Sequence, residues 1–348
     1  MIELLDRHPD LDGVFAGNDL MAVGEVNPMP DPALSLSSTP PTSSRIVVVG
    51  SLNMDLVVST DRMPRVGETI LGNDIHYLAG GKGANQAVGC SKLGANVVML
   101  GAVGEDTFGK QLIETLEEYQ VDTAHILKLA QHPTGTATIL HMPNDNCIVV
   151  VPGANGQFTA ERLELFKEQI NHADIMLLQL EIPLSTVERA LELARASGVK
   201  TILNPAPAQA LSKKLLQMVD YLTPNETELE LLTNQSWANE DELEVVLGQW
   251  EQTCGHKVIV TRGEHGCSFM NGNKLHTVPS IKVDVVDTTG AGDAFNASLA
   301  FGVTQGWPME EAVSFAVKAA SLSVTKFGAT NGMPSLQEVI DFSHLKMA

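Results

Sequence analysis

Positive charge is in short supply in this chain: 22 Lys and Arg stand against 42 Asp and Glu in 348 residues, a formal net charge of −20 at pH 7. Surfaces that hold nucleic acid or an anionic membrane must be basic, so the balance excludes both as partners. An anionic ligand would have to be met locally, by backbone amides and metal. Cysteine is also scarce. Its four positions, Cys90, Cys147, Cys254 and Cys267, show no Cys-x-x-Cys spacing, so reduced thiols and a cytoplasmic location are expected. No apolar run approaches the roughly 18 residues of a membrane span. The first residues also lack the basic-then-apolar order of a signal peptide.

What the chain does have is the string Val-Asp-Thr-Thr-Gly-Ala-Gly-Asp-Ala-Phe at 286–295. Residues 281–286 are valine-rich and read as a strand, and 294–303 read as an apolar helix. The turn between them opens a helix, where the first N–H groups lack intrahelical partners and the dipole is positive, so an anion can settle there. Gly290 and Gly292, with Ala291 between them, permit close approach. Asp293 is poorly placed for ground-state anion binding alone, since it sets negative charge beside the incoming group. A general base explains it better: it could take a hydroxyl proton while the neighbouring amides stabilise a transferring phosphoryl group.

Other polar groups fall at expected strand ends. After an apolar strand at 47–50 come Ser-Leu-Asn-Met-Asp at 51–55 and Gly-Gly-Lys-Gly-Ala-Asn-Gln-Ala at 80–87. Asn53, Asp55 and Asn85 suit adjacent sugar hydroxyls, and Gly81 offers a bare N–H. The glycine-rich stretch lacks the Gly-Lys-Ser/Thr ending of a P-loop. Asn225 and Glu228 are spaced i, i+3 at a helix start, so they are expected on one face suited to a hard cation that keeps its waters. Residues 258–263, with Gly266 beyond, read as a strand and tight turn.

These motifs, with Asn-Pro-Ala-Pro-Ala at 204–208 and Thr-Pro-Asn-Glu-Thr-Glu at 223–228, occur in an order that resembles the ribokinase family, the sugar kinases grouped with the B-type phosphofructokinases. The resemblance runs from about residue 45 to the C-terminus. It implies ATP-dependent phosphorylation of D-ribose at the 5-hydroxyl. Alternatives are a related kinase of deoxyribose, fructose or adenosine, or a non-catalytic sugar-responsive regulator. It also implies roles: Asp293 as the base with Gly290, Ala291 and Gly292 as the anion hole; Asn53, Asp55, Gly81, Lys82, Asn85, Glu181 and Asp293 on the sugar. Asn225, Thr261, Gly263, Gly266 and Gly292 would line the nucleotide site, and Asn225 and Glu228 would order the water shell of Mg²⁺. An activating K⁺ would be held by Asp287, Thr289, Ser323, Lys326, Gly328 and Gly332.

Strand and helix patterns alternate through the chain, at 97–101 then 106–119, 175–180 then 185–197, and 199–203 then 212–218. This predicts an α/β fold with a mostly parallel sheet sandwiched by helices, its ligands gathered at the carboxyl ends of the strands. Two segments break the alternation. Residues 56–59 with 68–78, and 136–141 with 147–151, read as a separate small sheet built from about 54–80 and 134–152. By resemblance this is a lid over the sugar and the contact of a homodimer. The kinase pattern occupies 45–348. Residues 28–44, rich in Pro and Ser, read as a flexible tether. Residues 1–27 fall outside the pattern, and 1–24 resemble a fragment of a lactose-repressor-type sugar-binding domain, too small to bury a core and read as a remnant.

Overall fold

The structure, a computed structural model, describes residues 44–142 and 145–345; the repressor-like stretch and all but the last residue of the tether lie outside them. Strand β1 (Arg45–Val49) runs through residues 50–52 into β2 (Asn53–Ser59), and β3 (Asp74–Gly80) leads into helix α1 (Lys82–Lys92). Next come β4 (Asn96–Gly104), α2 (Thr107–Glu118), β5 (Ile126–Leu129), β6 (Gly135–Met142) and β7 (Asp145–Val151). The chain continues through β8 (Ile175–Leu178), α3 (Leu184–Ser197), β9 (Lys200–Leu203), β10 (Tyr221–Leu222), α4 (Glu226–Thr233), α5 (Glu240–Cys254) and β11 (Lys257–Thr261). A hairpin, β12 (Cys267–Asn271) and β13 (Lys274–Val278), precedes α6 (Ala291–Thr304), α7 (Met309–Ser323) and α8 (Leu336–Leu345). Helical segments shorter than eight residues carry no label.

The nine-stranded sheet has the order β13-β12-β11-β10-β9-β8-β1-β4-β5. From β11 to β5 every pairing is parallel, and only β12 runs against the rest, antiparallel to both β11 and β13. The chain leaves β1 toward β4 on one side and later returns to build β8 to β11 on the other. Strands β1 and β8 therefore flank a topological switch point, where side chains at the carboxyl ends splay apart and leave a crevice.

Burial explains why β1 reads as an uninterrupted apolar run. Ile46 and Val48 pack with Ala84 and Val88 of α1, Phe295 and Phe301 of α6, and Phe315 of α7. Val47 and Val49 face the other layer, with Val187 and Leu191 of α3 and Leu215. A strand covered on both faces cannot alternate polar with apolar. Helix α6 is buried along almost its whole length, from Ala291 to Val303. It is thus a core element, and truncating a fully buried ring such as Phe295 would cost about 3–5 kcal/mol.

The small sheet has the order β3-β2-β6-β7. Asn53 pairs with Gly80 of β3 on one side and Gly135 of β6 on the other, so the sheet grows directly from the end of β1. Two expectations fail. Residues 281–286 are not a strand: Ile281 N–H donates to Ser321 Oγ (3.3 Å) and Val286 N–H to the Val324 carbonyl (2.8 Å). Val285 and Val286 stay exposed, so this segment is held by the end of α7 and not by a ladder. Residues 68–73 are also outside the small sheet, because the turn brings Asn73 N–H to the Ser59 carbonyl (2.7 Å) and pairing begins only at Asp74.

Candidate active site

Helix α6 opens at Gly290, whose φ of 83° is left-handed and whose missing side chain lets Ala329 approach; a Cβ there would lie 2.9 Å from Ala329 Cα. Ala291, Gly292 and Asp293 form the first turn, where helix geometry leaves N–H groups without intrahelical acceptors. Asp293 is buried. Its Oδ2 accepts from Asn85 Nδ2 and its Oδ1 from Gln86 Nε2, both at 2.9 Å. Burial pushes its pKa above the ordinary carboxylate value; the Lys82 ammonium and the two amides oppose this, and Glu181 adds to it. A carboxylate with raised affinity for protons, fixed at a helix opening, can act as a base toward an alcohol.

Asp55 lies on the same crevice. Its carboxylate covers Gly80 so closely that any side chain at residue 80 would collide with it. Its pKa is pushed up to about 7, first by burial, then by the negative charges of Glu181 and Asp293, against the pull of Lys82. Glu181 accepts from Ser51 Oγ, Asn53 Nδ2 (3.3 Å) and the Lys82 N–H (3.2 Å). It ties the end of β1, the start of β2 and the opening of α1 to the end of β8. Gly81 caps α1 with φ 89°, and a Cβ there would sit 2.6 Å from the Asn53 nitrogen. The expected sugar-side residues Asn53, Asp55, Gly81, Lys82, Asn85, Glu181 and Asp293 thus share one crevice.

Several polar residues here escaped the sequence reading. Asn155, fully buried, accepts from Leu52 N–H (2.9 Å) and donates to the Leu52 carbonyl (3.0 Å) and Asn53 Oδ1 (2.8 Å). Thr330 Oγ1 lies 2.8 Å from the Ala79 carbonyl and 3.1 Å from Asn85 Oδ1 and shares its one proton between them, which leaves the Asn85 NH₂ turned toward Asp293. Thr223 Oγ1 donates to Asn296 Oδ1 (2.6 Å), and Asn296 Nδ2 to the Gly292 carbonyl (2.8 Å). That link joins the end of β10 to the first turn of α6. The local signal was a polar residue interrupting an apolar run, as at Gln179 after Ile-Met-Leu-Leu.

The other half of the crevice lies at the ends of β10 and β11. Asn225 bridges Thr261, and the turn beyond carries Gly263 (φ 53°) and Gly266 (φ 84°). Asn225 and Glu228 do meet at the start of α4, but their side chains are engaged with each other's backbone. Asn225 is the N-cap, and the two residues form a capping box: Glu228 N–H donates to Asn225 Oδ1 (2.8 Å) and Asn225 N–H to Glu228 Oε2 (2.9 Å). Each anchors the other, a donor set that fits the outer water shell of a hard cation better than direct ligation. Among the described residues no cluster of three His, Cys, Asp or Glu could hold a metal.

The oxygen-rich residues behind α6 also meet. Asp287 Oδ1 accepts from the Thr289 N–H (2.9 Å) and hydroxyl (2.7 Å), and Oδ2 from Gly328 N–H (2.8 Å). Gly332 N–H reaches the Gly328 carbonyl (2.8 Å), a Cβ at Gly332 would sit 2.8 Å from the Ser323 carbonyl, and Lys326 N–H lies 3.4 Å from that same oxygen. Asp287, Thr289 and Gly328 are thus joined to one another, and Ser323, Lys326 and Gly332 meet at the Ser323 carbonyl.

Fold and site together define a phosphotransferase acting on a small polyhydroxylated substrate. The profile of the pfkB family carbohydrate kinases matches residues 43–336, and the chain belongs to that family. It is 40% identical over 298 residues to a ribokinase of Lactococcus lactis, covering 85% of this chain and 96% of that one. It is 35% identical over 302 residues to a deoxyribokinase of Salmonella typhi, covering 86% and 99%. The structure of Arabidopsis thaliana ribokinase complexed with ribose and ATP superposes with a TM-score of 0.81 at 34% identity, covering 86% of this chain and 98% of that one.

Proposed function

We propose that this protein transfers the terminal phosphoryl group of ATP to the 5-hydroxyl of D-ribose, giving D-ribose 5-phosphate and ADP. The observation that carries the reading is the buried Asp293 at the opening of α6, bonded through both oxygens and facing the same crevice as Asp55, Asn53 and Asn85. In this reading Asn53, Asp55, Asn85, Lys82, Glu181 and the Gly81 N–H hold the sugar hydroxyls. Asp293 takes the proton of the attacking hydroxyl, while the amides of the first turn, from Gly290 to Gly292, stabilise charge on the transferring group.

Asn225, Thr261, Gly263, Gly266 and Gly292 line the nucleotide side. Asn225 and Glu228 would orient the waters of the Mg²⁺ that accompanies ATP, whose chemistry is to neutralise phosphate charge. Asp287, Thr289, Ser323, Lys326, Gly328 and Gly332 would hold the activating K⁺ beside the anion hole. Exposed Ile75 and Tyr77 on β3 and Val149, Val150 and Val151 on β7 leave the lid edges apolar, which supports a homodimer through that sheet. The kinase occupies 45–348, with 28–44 a tether and 1–27 a remnant. No helix among the described residues is long and apolar enough to cross a membrane, and we assign the enzyme to the cytoplasm.

The Salmonella relative favours deoxyribose as the second reading, since one hydroxyl separates the two sugars. ADP release should be measured with ribose, deoxyribose, fructose and adenosine. Ribose is expected to give the highest kcat/KM, by about tenfold or more. A preference for deoxyribose would replace the substrate, and no ADP release with any acceptor would overturn the kinase reading.

A further inference from the structure

Gln86 and Gln179 are both fully buried, one on α1 and one at the end of β8. Gln86 Nε2 donates to Asp293 Oδ1 (2.9 Å) and lies 3.5 Å from Asn204 Oδ1, while Gln86 Oε1 accepts from Gln179 Nε2 (2.6 Å). The amide of Gln86 therefore has one possible orientation: turned over, its oxygen would face the carboxylate and its NH₂ would face that of Gln179. Gln179 is seated in turn by Gly50, where any side chain would collide with its Oε1. That Oε1 has no hydrogen-bond partner among the described residues. An unpartnered buried amide oxygen costs on the order of 1–3 kcal/mol, whereas two apolar side chains of similar shape would avoid the cost.

We infer that Gln86 is a positioning residue for Asp293, and that the Gln179–Gln86 amide pair fixes which carboxylate oxygen receives the substrate proton. The inference rests on the reading of Asp293 as the base. Gln86 has no exposed surface, so its bond holds Oδ1 toward the core. Oδ2, shared with the sugar-side amide of Asn85, is left as the reacting oxygen. Gln86, with no exposed surface, offers the crevice no face of its own. Its contribution is to orient the carboxylate and to favour its ionised form, in a site where Asp55, Glu181 and Lys82 are the charged groups facing Asp293.

The test is the pH dependence of kcat in the full chain for Gln86→Leu, Gln179→Leu and the double variant, at saturating ribose and ATP. Removing an amide donor raises the pKa of a carboxylate, so the acid limb of the Gln86→Leu profile should move up by about one pH unit. Its kcat at pH 7 should fall about tenfold or more, with the ribose KM within about threefold. Gln179→Leu should move the limb the same way by less. The double variant replaces both polar groups by apolar ones and guards against a single variant that fails to fold. A lowered thermal midpoint with the acid limb unmoved, a raised ribose KM with kcat intact, or failure of all three variants to fold would overturn the inference, because the amides would then serve the fold or the sugar. Asp293→Asn separates the two readings: if it retains turnover, the base assignment falls; if it is inactive while the glutamine variants leave the limb in place, only the positioning role falls.

Discussion

Asn85 Nδ2 donates to Asp293 Oδ2 at 2.9 Å across 208 residues of sequence, while its Oδ1 accepts from Thr330. One amide therefore connects the short helix Ala329–Gly332, the sugar crevice and the acid on α6. A substitution at Asn85 should disturb sugar binding and turnover together, whereas the flanking residues separate the two effects.

Asp293→Asn keeps the shape of the side chain and removes its basicity. Turnover should fall about 10²-fold or more, with ribose affinity nearly unchanged. The check is steady-state kinetics beside ribose binding by calorimetry, and near-normal turnover in a folded variant would refute the assignment.

Asp55 carries a stability cost that depends on pH. Its folded pKa of about 7 lies above the ordinary 3.8, so the folded state holds the proton more tightly. The resulting stability is fully present below about 4 and is lost as pH rises through about 7. Asp55→Asn should accordingly raise the thermal midpoint by several degrees at pH 8, and by little near pH 4. It should also raise the ribose KM about tenfold or more, as expected for loss of a charged acceptor worth roughly 1.5–3 kcal/mol, and leave ATP binding unchanged. Equal losses for both ligands would make Asp55 structural.

Asn155→Leu would leave the Leu52 N–H and carbonyl and the Asn53 oxygen without their buried partner. The expected loss is on the order of 3 kcal/mol of stability, from several unsatisfied groups. A higher ribose KM should accompany it, because Asn53 loses its anchor. Denaturant unfolding with sugar kinetics measures both, and a variant as stable as the parent would contradict the role.

Asp287→Ala removes the one carboxylate from the oxygen cluster that also contains Ser323, Gly328 and Gly332. The proposed activation by K⁺ over Na⁺ should be seen in the parent and be absent from the variant, while residual turnover persists. Retained activation would move the cation elsewhere.

Deleting residues 1–42 should leave kcat, KM and thermal midpoint within error, because every proposed ligand lies beyond Ser51. An altered ribose response in the shortened chain would give the repressor-like stretch a regulatory part.

The parallel sheet was legible because covered strands such as β1 read as apolar runs, and the crevice because its residues sit at strand ends followed by glycine. The segment 281–286 misled for a physical reason: alternating valines satisfy a strand pattern, but its partners are Ser321 and the Val324 carbonyl, which local sequence cannot announce. Asn225 and Glu228 meet as their i, i+3 spacing suggests, but the spacing alone does not reveal that they bond each other's backbone in a capping box. Asn155, Gln86 and Gln179 stayed hidden because their partners lie 93 to 207 residues away.

The small sheet is assembled from two separate insertions. Strands β2 and β3 enter directly after β1, β6 and β7 enter after β5, and the parallel pairing of Asn53 with Gly135 fuses the halves. Neither hairpin can therefore be exchanged as a self-contained cassette. A chimera that imports one half from a homologue inherits a seam along the central β2–β6 pair, beside the residues that would grip the sugar, so both halves must be transplanted together despite their distance along the gene.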